Sequence, residues 1–263
     1  MIHRFTNARQ IINSLILPAL LVACFPAPAF PASALGGDEK KYTDPPTSGY
    51  KQMEIAGWKL FVHQRLFDKR ADVGQKALQI MRIQLTQMTL YMPKKPLAEL
   101  RKVPIWVDDR PDGSAQYHPG RDWLVDHGYN PDKVKSVDVS RSGAFTNYVM
   151  NQPYVMMHEL AHAYHDRVLG FDDPRIVAAY KRAVDEKKYE KVLLYNGRKV
   201  RHYALTNHKE YFAECSEAYF GTNDFYPFVR AELKEHDPHV YALLDEIWRG
   251  IPRKDKSSAA AED

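Results

Sequence analysis

Cysteine is scarce in this chain of 263 residues, which contains only two. Two cysteines exclude a small scaffold held together by disulfides and a zinc module built on four thiolates. Charge of one sign is not in large excess either, since 37 basic residues face 33 acidic ones. With no basic cluster along the sequence, this near balance gives no indication of a nucleic-acid partner.

The overall composition is that of an ordinary globular protein, with 44% apolar and 27% charged residues. A collagen, a coiled-coil rod, a wholly disordered chain and a polytopic membrane protein are therefore excluded. Histidine stands out against this background, because the chain contains eleven.

The first 34 residues have the pattern of a secretory signal peptide. Basic residues precede an apolar run at residues 11–24, which Pro18 interrupts and which is shorter than the roughly 20 residues of a membrane-spanning helix. Small residues with two Ala-x-Ala cleavage sites follow, the second at residues 32–34. We expect a secreted protein, extracellular or periplasmic, without an integral membrane domain after cleavage. A lipoprotein anchored through Cys24 and a retained N-terminal anchor are the alternatives.

The remaining chain predicts one α+β domain with its strands early and its helices late. Strand patterns occur at residues 58–62, 103–107 and 136–140, and residues 108–130 are rich in loop formers. Helical periodicity is found at residues 71–91, 156–169, 174–187, 207–220 and 238–249. The predicted organisation is a flexible leader at residues 35–50, a single catalytic domain at 51–253 and a disordered tail at 254–263.

The segment His158-Glu159-Leu160-Ala161-His162 has the form H-E-x-x-H within an apolar helical pattern. Histidines four residues apart project from one face of a helix, so both rings can reach the same metal ion. Glu159 can face a water on that metal and take its proton. The competing interpretation is a pair of structural histidines, but buried polar groups of this kind need partners, and a metal supplies one.

A catalytic zinc needs a third protein ligand, and the best candidate from the sequence is Glu210. The helix at residues 207–220 places Glu210, Glu214 and Glu217 on one face among apolar neighbours. Two alternatives stay open. Asn207 and Glu210 have the spacing of an N-terminal capping box, and Asp224 lies in a Gly-Thr-x-Asp element that resembles the ligand segment of aspzincins.

The histidine motif and the segment 203–214, about 45 residues later, together resemble the catalytic domain of the anthrax lethal factor-like gluzincins. In that family, H-E-x-x-H is followed by a tyrosine and then by a glutamate within a Glu-aromatic-Phe-Ala-Glu element, as in this chain. The resemblance implies a zincin fold, with a small twisted sheet above an active-site helix and a second helix that carries the third ligand. Ala161 departs from the glycine of the toxin at that position.

The resemblance also implies residue roles. His158, His162 and Glu210 would bind Zn²⁺, Glu159 would be the general base, Tyr203 would donate a hydrogen bond to the oxyanion, and Glu214 would orient a ligand histidine. The implied activity is that of a zinc-dependent endopeptidase acting on a peptide or protein substrate, with the strand at residues 136–140 pairing with that substrate. A non-catalytic zincin-fold binding module and a zinc amidase acting on a cell-wall bond are the alternatives.

Overall fold

The computed structural model describes residues 43–250, so the predicted signal peptide and the predicted tail lie outside the described residues. The strands are β1 (Tyr50–Ile55), β2 (Trp58–His63), β3 (Ile105–Val107), β4 (Ala115–Tyr117), β5 (Val137–Val139), β6 (Val192–Leu193) and β7 (Lys199–Val200). The α-helices are α1 (Ala71–Tyr91), α2 (Lys94–Leu100), α3 (Arg121–Asp126), α4 (Ser142–Asn151), α5 (Val155–Tyr164), α6 (Pro174–Asp185), α7 (His208–Phe220), α8 (Arg230–His236) and α9 (Pro238–Arg249). The α+β fold class predicted from the sequence is confirmed. Across residues 43–250, no helix is both long and apolar enough to span a bilayer.

The main sheet has five strands in the order β1-β2-β3-β5-β4. β1 and β2 form a hairpin whose two turn residues, Ala56 and Gly57, both have positive φ, at 52° and 91°. Such a turn matches the twist of the strands that it joins. β2, β3 and β5 are parallel, whereas β4 runs antiparallel to β5 and forms an edge of the sheet.

The main core lies where the sheet and helices α1 and α5 bury their apolar side chains. α1 contributes a stripe at helical spacing, with Ala77, Met81, Leu85 and Met88 all buried. α5 is buried along almost its whole length, because it packs against β4 of the sheet and against α7. The helix that carries the histidine motif is therefore held on several sides.

The strand predicted at residues 136–140 is an internal strand of the sheet and is not available to pair with a substrate. Its alternating polar residues suggested one exposed face, yet β5 is buried throughout. Asp138 is tolerated there because the Lys133 ammonium lies 2.9 Å from its carboxylate and the His118 ring lies 3.4 Å from it. Burial alone would raise the pKa of Asp138, but these two partners hold that pKa below its ordinary value.

Residues 43–50 pack against the domain, although the sequence predicted a flexible leader there. Asp44 is buried, and its carboxylate lies 2.9 Å from the Lys133 ammonium and 3.4 Å from the Arg110 guanidinium. A buried carboxylate without such partners would be costly, so these ion pairs specify the position of the segment. The region predicted as a loop, residues 108–130, also contains β4 and α3.

Replacing Lys133 with alanine should lower the free energy of unfolding by about 3–5 kcal/mol, because Asp44 and Asp138 would lose their shared buried partner. Lys102→Ala is a matched control, since Lys102 is largely exposed and its ion-pair partner among residues 43–250 is the exposed Glu99. The control substitution should lower the free energy of unfolding by less than about 1 kcal/mol. Urea denaturation of both variants measures the difference, and equal losses would show that the buried pairs contribute nothing specific.

Candidate metal centre

The two histidines of the motif lie one turn apart on the face of α5 that packs against α7. Their Nε2 atoms are 3.1 Å apart, and the rings are close to perpendicular. His158 is buried, and the side chain of His162 is 12% exposed. The helical spacing of the motif thus brings two imidazole nitrogens to one point at the edge of a cleft.

Glu210 completes this group from the first turn of α7. Its Oε2 atom lies 3.1 Å from Nε2 of His158 and 3.2 Å from Nε2 of His162. Burial would raise the pKa of Glu210, but its hydrogen bonds with both histidines hold that pKa well below its ordinary value. The sequence-predicted ligands His158, His162 and Glu210 are therefore brought together in the structure.

Capping of α7 and contact with the histidines are made by two different side chains, those of Asn207 and Glu210. The side chain of Asn207 accepts hydrogen bonds from the backbone amides of Lys209 and Glu210, at 2.9 and 3.0 Å. Asn207 therefore caps the helix by itself, as this residue type commonly does. The carboxylate of Glu210 turns to the histidines instead, so the cap and the metal-ligand geometry coexist.

The carboxylate that contacts the other ring nitrogen of His158 most closely belongs to Glu217. Its Oε1 atom lies 2.7 Å from Nδ1, whereas Glu214 lies 3.6 Å away. Gln152 donates a further hydrogen bond, at 2.8 Å, to the same oxygen of Glu217. The sequence prediction placed Glu214 in this orienting position, but the direct hydrogen bond is made by Glu217, two turns after Glu210.

This hydrogen bond determines which nitrogen of His158 is free. A carboxylate can only accept, so Nδ1 carries a proton and donates it to Glu217, which makes Nε2 the nitrogen that would give up its own proton and bind a metal ion. Burial opposes a charged ring, yet the hydrogen bonds to Glu210 and Glu217 raise the pKa of His158 well above its ordinary value. The acidic stripe noted in the sequence was the signal that could have identified Glu217.

Glu159 and Tyr203 line the same cleft, which has a volume of about 370 Å³. Burial raises the pKa of the Glu159 carboxyl and the charge of Glu210 raises it further, whereas the two histidines of the motif lower it. Tyr203 is 48% exposed and lies on the wall of the cleft, so it is accessible from there. β4 forms one wall, and the backbone amide of its last residue, Tyr117, faces Glu159 and lowers the pKa of that carboxyl slightly.

Two other candidates lie outside the three-residue group. Asp224 is not part of either cluster of potential metal ligands that the described residues form, and burial together with the charge of Glu217 raises its pKa to about 7. His165, which lies three residues after the motif, is fully buried between Phe171 and Phe212. Burial lowers the pKa of His165 to about 3, as expected for a neutral core histidine.

The three ligand atoms fit a zinc ion. Nitrogen and oxygen ligands at 2.0–2.2 Å in a tetrahedral arrangement lie about 3.3 Å from one another. The observed separations are 3.1, 3.1 and 3.2 Å. A donor set of two imidazoles and one carboxylate, with Glu217 supporting one imidazole from behind, is the composition of a catalytic zinc site that keeps one position open.

Replacing Glu217 with glutamine should weaken zinc binding about 10–100-fold, because an amide holds the imidazole less strongly than a carboxylate does. Glu214→Gln is the matched control on the same helix, and it should change the affinity less, since Glu214 lies farther from Nδ1. Competition with a fluorescent zinc chelator gives both affinities. A larger loss of zinc affinity in the Glu214 variant would show that Glu214 orients the histidine, as the sequence predicted.

The comparison with protein-family models gives one match, to the family described as anthrax toxin lethal factor, N- and C-terminal domain, over residues 77–247. The match covers 171 of the 263 residues, and it includes α5, the 3₁₀ turn at Tyr203–Leu205 and α7, which carry the site. No curated protein and no solved structure matches the chain. With well over half of the chain matched, the resemblance identified from the motifs is confirmed, and this protein belongs to the anthrax toxin lethal factor family.

Proposed function

We propose that the protein is a zinc-dependent peptidase that hydrolyses peptide bonds in the cleft beside β4. The observation that carries the proposal is the convergence of His158, His162 and Glu210 at mutual distances of 3.1–3.2 Å beside the buried carboxylate of Glu159. Membership of the lethal factor family supports a metallopeptidase of the zincin type. Zinc is the cofactor that best suits two imidazoles and one carboxylate.

The substrate is expected to lie along β4. This strand pairs with β5 on one side only, and its residues 115–117 line the cleft together with Glu159 and Tyr203. An extended peptide can add to the open edge of such a strand through main-chain hydrogen bonds. β4, and not the internal strand at residues 136–140, is therefore the strand that would pair with the substrate.

Each side chain of the cleft would have a different role in hydrolysis. A bound zinc ion would lower the pKa of a water towards 7 and polarise the substrate carbonyl. Glu159 would take the proton of the attacking water and pass it to the leaving amine. Tyr203, on the turn before α7, would donate its phenolic hydrogen to the oxyanion, and Glu217 would hold His158 in place.

We also propose that the protein is exported, because residues 1–34 have the pattern of a signal peptide. A basic start, a short apolar core and Ala-x-Ala sites favour a secreted peptidase with a peptide or protein substrate. Cys24 keeps the lipoprotein alternative in place. N-terminal sequencing of the protein recovered from its producing cells distinguishes a start at residue 35 from a start at the lipidated Cys24.

Chelation should abolish the cleavage of a general substrate such as casein, and added zinc should restore it. The reason is that the three protein ligands hold the only cofactor that the proposed reaction needs. Casein fragments separated on a gel, with and without 1,10-phenanthroline and then with zinc, give the result. Cleavage that persists after complete zinc removal would contradict the proposed function.

A further inference from the structure

A second cavity, larger than the cleft, has Pro111 of the segment before β4 in its wall. Its volume is about 1040 Å³, and its walls come from the segment after β2, the segment after β3 and the start of α4. Five cationic side chains line it: Arg65, Lys69, Arg70, Arg110 and Arg141. Two carboxylates, those of Asp68 and Asp109, line it as well. In a chain of nearly balanced charge, this cavity is locally basic.

Several of these cations already have partners. Arg65 lies 3.1 Å from Asp108, and Arg70 lies 2.8 Å from Asp109. Arg110 lies within 3.5 Å of both Asp44 and Asp112. These pairs keep the arginines in place without using the whole positive charge of the cavity.

Two cations in the cavity make no ion pair with any residue of the described range 43–250. They are Lys69 and Arg141, both exposed and both on its wall, and Asp68 is a carboxylate of the same wall that makes no ion pair within that range either, so the unpaired cations outnumber the unpaired carboxylates by two to one. Like charges gathered around one cavity repel each other, so the arrangement favours an anion that enters between them. The carboxyl ends of the parallel strands β2, β3 and β5 and the N-terminus of α4 meet here too, and the helix end adds partial positive charge.

The cavity lies close to the proposed substrate path. Pro111 belongs to its wall and Ser114 belongs to the wall of the cleft. Three peptide units join these two residues, so their Cα atoms are at most about 11 Å apart. A peptide added along β4 would therefore bring residues a few positions from its scissile bond to the mouth of the basic cavity.

We propose that the basic cavity binds an acidic segment of the polypeptide substrate, a few residues from the bond that is cleaved. The proposal rests on the proposed peptidase function, because it extends the same substrate along β4. A run of carboxylates suits the site better than a nucleic acid does. Among the residues that line it there is no tyrosine, phenylalanine or tryptophan on which bases could stack, and its cations surround a concavity instead of following an extended path.

The first test measures binding without turnover. Fluorescein-labelled octaglutamate and octaglutamine are titrated into the full-length Glu159→Gln protein, and fluorescence anisotropy is recorded at low and physiological salt. We expect octaglutamate to bind at least about fivefold more tightly, with a difference that shrinks as salt is added. In a background that also carries Lys69→Glu and Arg141→Glu, the preference should disappear.

The matched control reverses two exposed lysines outside the cavity, as Lys95→Glu and Lys181→Glu, and changes the net charge by the same amount. This control should retain most of the preference for octaglutamate. Equal binding of the two peptides by the parent protein would overturn the proposal. So would a preference that survives in the Lys69 and Arg141 variant, or tighter binding of a labelled dT8 oligonucleotide than of octaglutamate.

The second test links the cavity to cleavage. Mass spectrometry of a digested peptide library should show acidic residues enriched on one side of the cleaved bonds, and the Lys69→Glu/Arg141→Glu enzyme should lose that enrichment. Octaglutamate binding without any zinc-dependent cleavage would contradict the peptidase and leave the anion site standing. Cleavage without acidic enrichment would instead contradict the assignment of the cavity to the substrate.

Discussion

Replacing Glu159 with glutamine should lower the rate of peptide hydrolysis by about 10²–10⁴-fold while the protein keeps one equivalent of zinc. Glu159 contributes no atom to the three-atom group formed by His158, His162 and Glu210. Its carboxylate lies buried in the same cleft, and burial raises its pKa. Glutamine keeps the shape of the side chain and removes its basicity.

Steady-state cleavage of a casein-derived peptide, together with zinc analysis of the same sample, measures both halves of this prediction. Glu54→Gln is a suitable control, because Glu54 is exposed on β1 and lies outside the residues that line the cleft. The control should cleave at the parent rate. If the Glu159 variant also cleaves at the parent rate, another group is the base and the assignment fails.

Replacing Glu210 with alanine should remove zinc almost completely and abolish cleavage. Glu210 supplies the only carboxylate oxygen in the group formed with both histidines of the motif. Loss of a direct ligand should weaken zinc binding by more than the roughly 10–100-fold expected for a residue that only orients a ligand. Equilibrium dialysis against buffered zinc, followed by metal analysis, gives the affinity.

Asp224→Asn is the decisive companion to the Glu210 variant. The structure leaves Asp224 outside both clusters of potential ligands within residues 43–250, so this variant should keep its zinc. The sequence alone left Asp224 and Glu210 as competing third ligands. Zinc retained without Glu210 and lost without Asp224 would reverse the assignment made from the geometry.

The metal centre was largely predictable because its residues lie at helical spacing within two short segments of the sequence. Helical periodicity places His158 and His162 on one face, and the apolar neighbours of Glu210 mark α7 as a buried helix. The long amphipathic helix α1 was predictable for the same reason, since its buried side chains recur at helical spacing over its whole length. Such patterns depend on residues a few positions apart.

Features that depend on contacts between distant parts of the chain could not be predicted from local periodicity. Alternation at residues 136–140 suggested a half-exposed strand, but Lys133 pairs with Asp138 and allows β5 to be buried between β3 and β4. β4 itself has three residues, too few for a periodic signal. The edge that faces the cleft therefore emerged only from the strand order.

The basic cavity also depends on contacts between distant parts of the chain. No long run of lysine or arginine marks it in the sequence, so no basic cluster was expected. Its cations come from the segments after β2, β3 and β5, and the parallel arrangement of these strands brings their carboxyl ends together. Charge that is dispersed along a chain can thus form one site when the topology gathers it.

The proposed peptidase activity depends on His158, His162 and Glu210 holding a single zinc ion. The most direct test is a crystal structure of the zinc-loaded protein with an anomalous difference map recorded on both sides of the zinc edge. We expect one peak about 2.0–2.2 Å from Nε2 of both histidines and from a carboxylate oxygen of Glu210. A peak on the Nδ1 side of His158, between Glu214 and Glu217, or no peak at all, would contradict it.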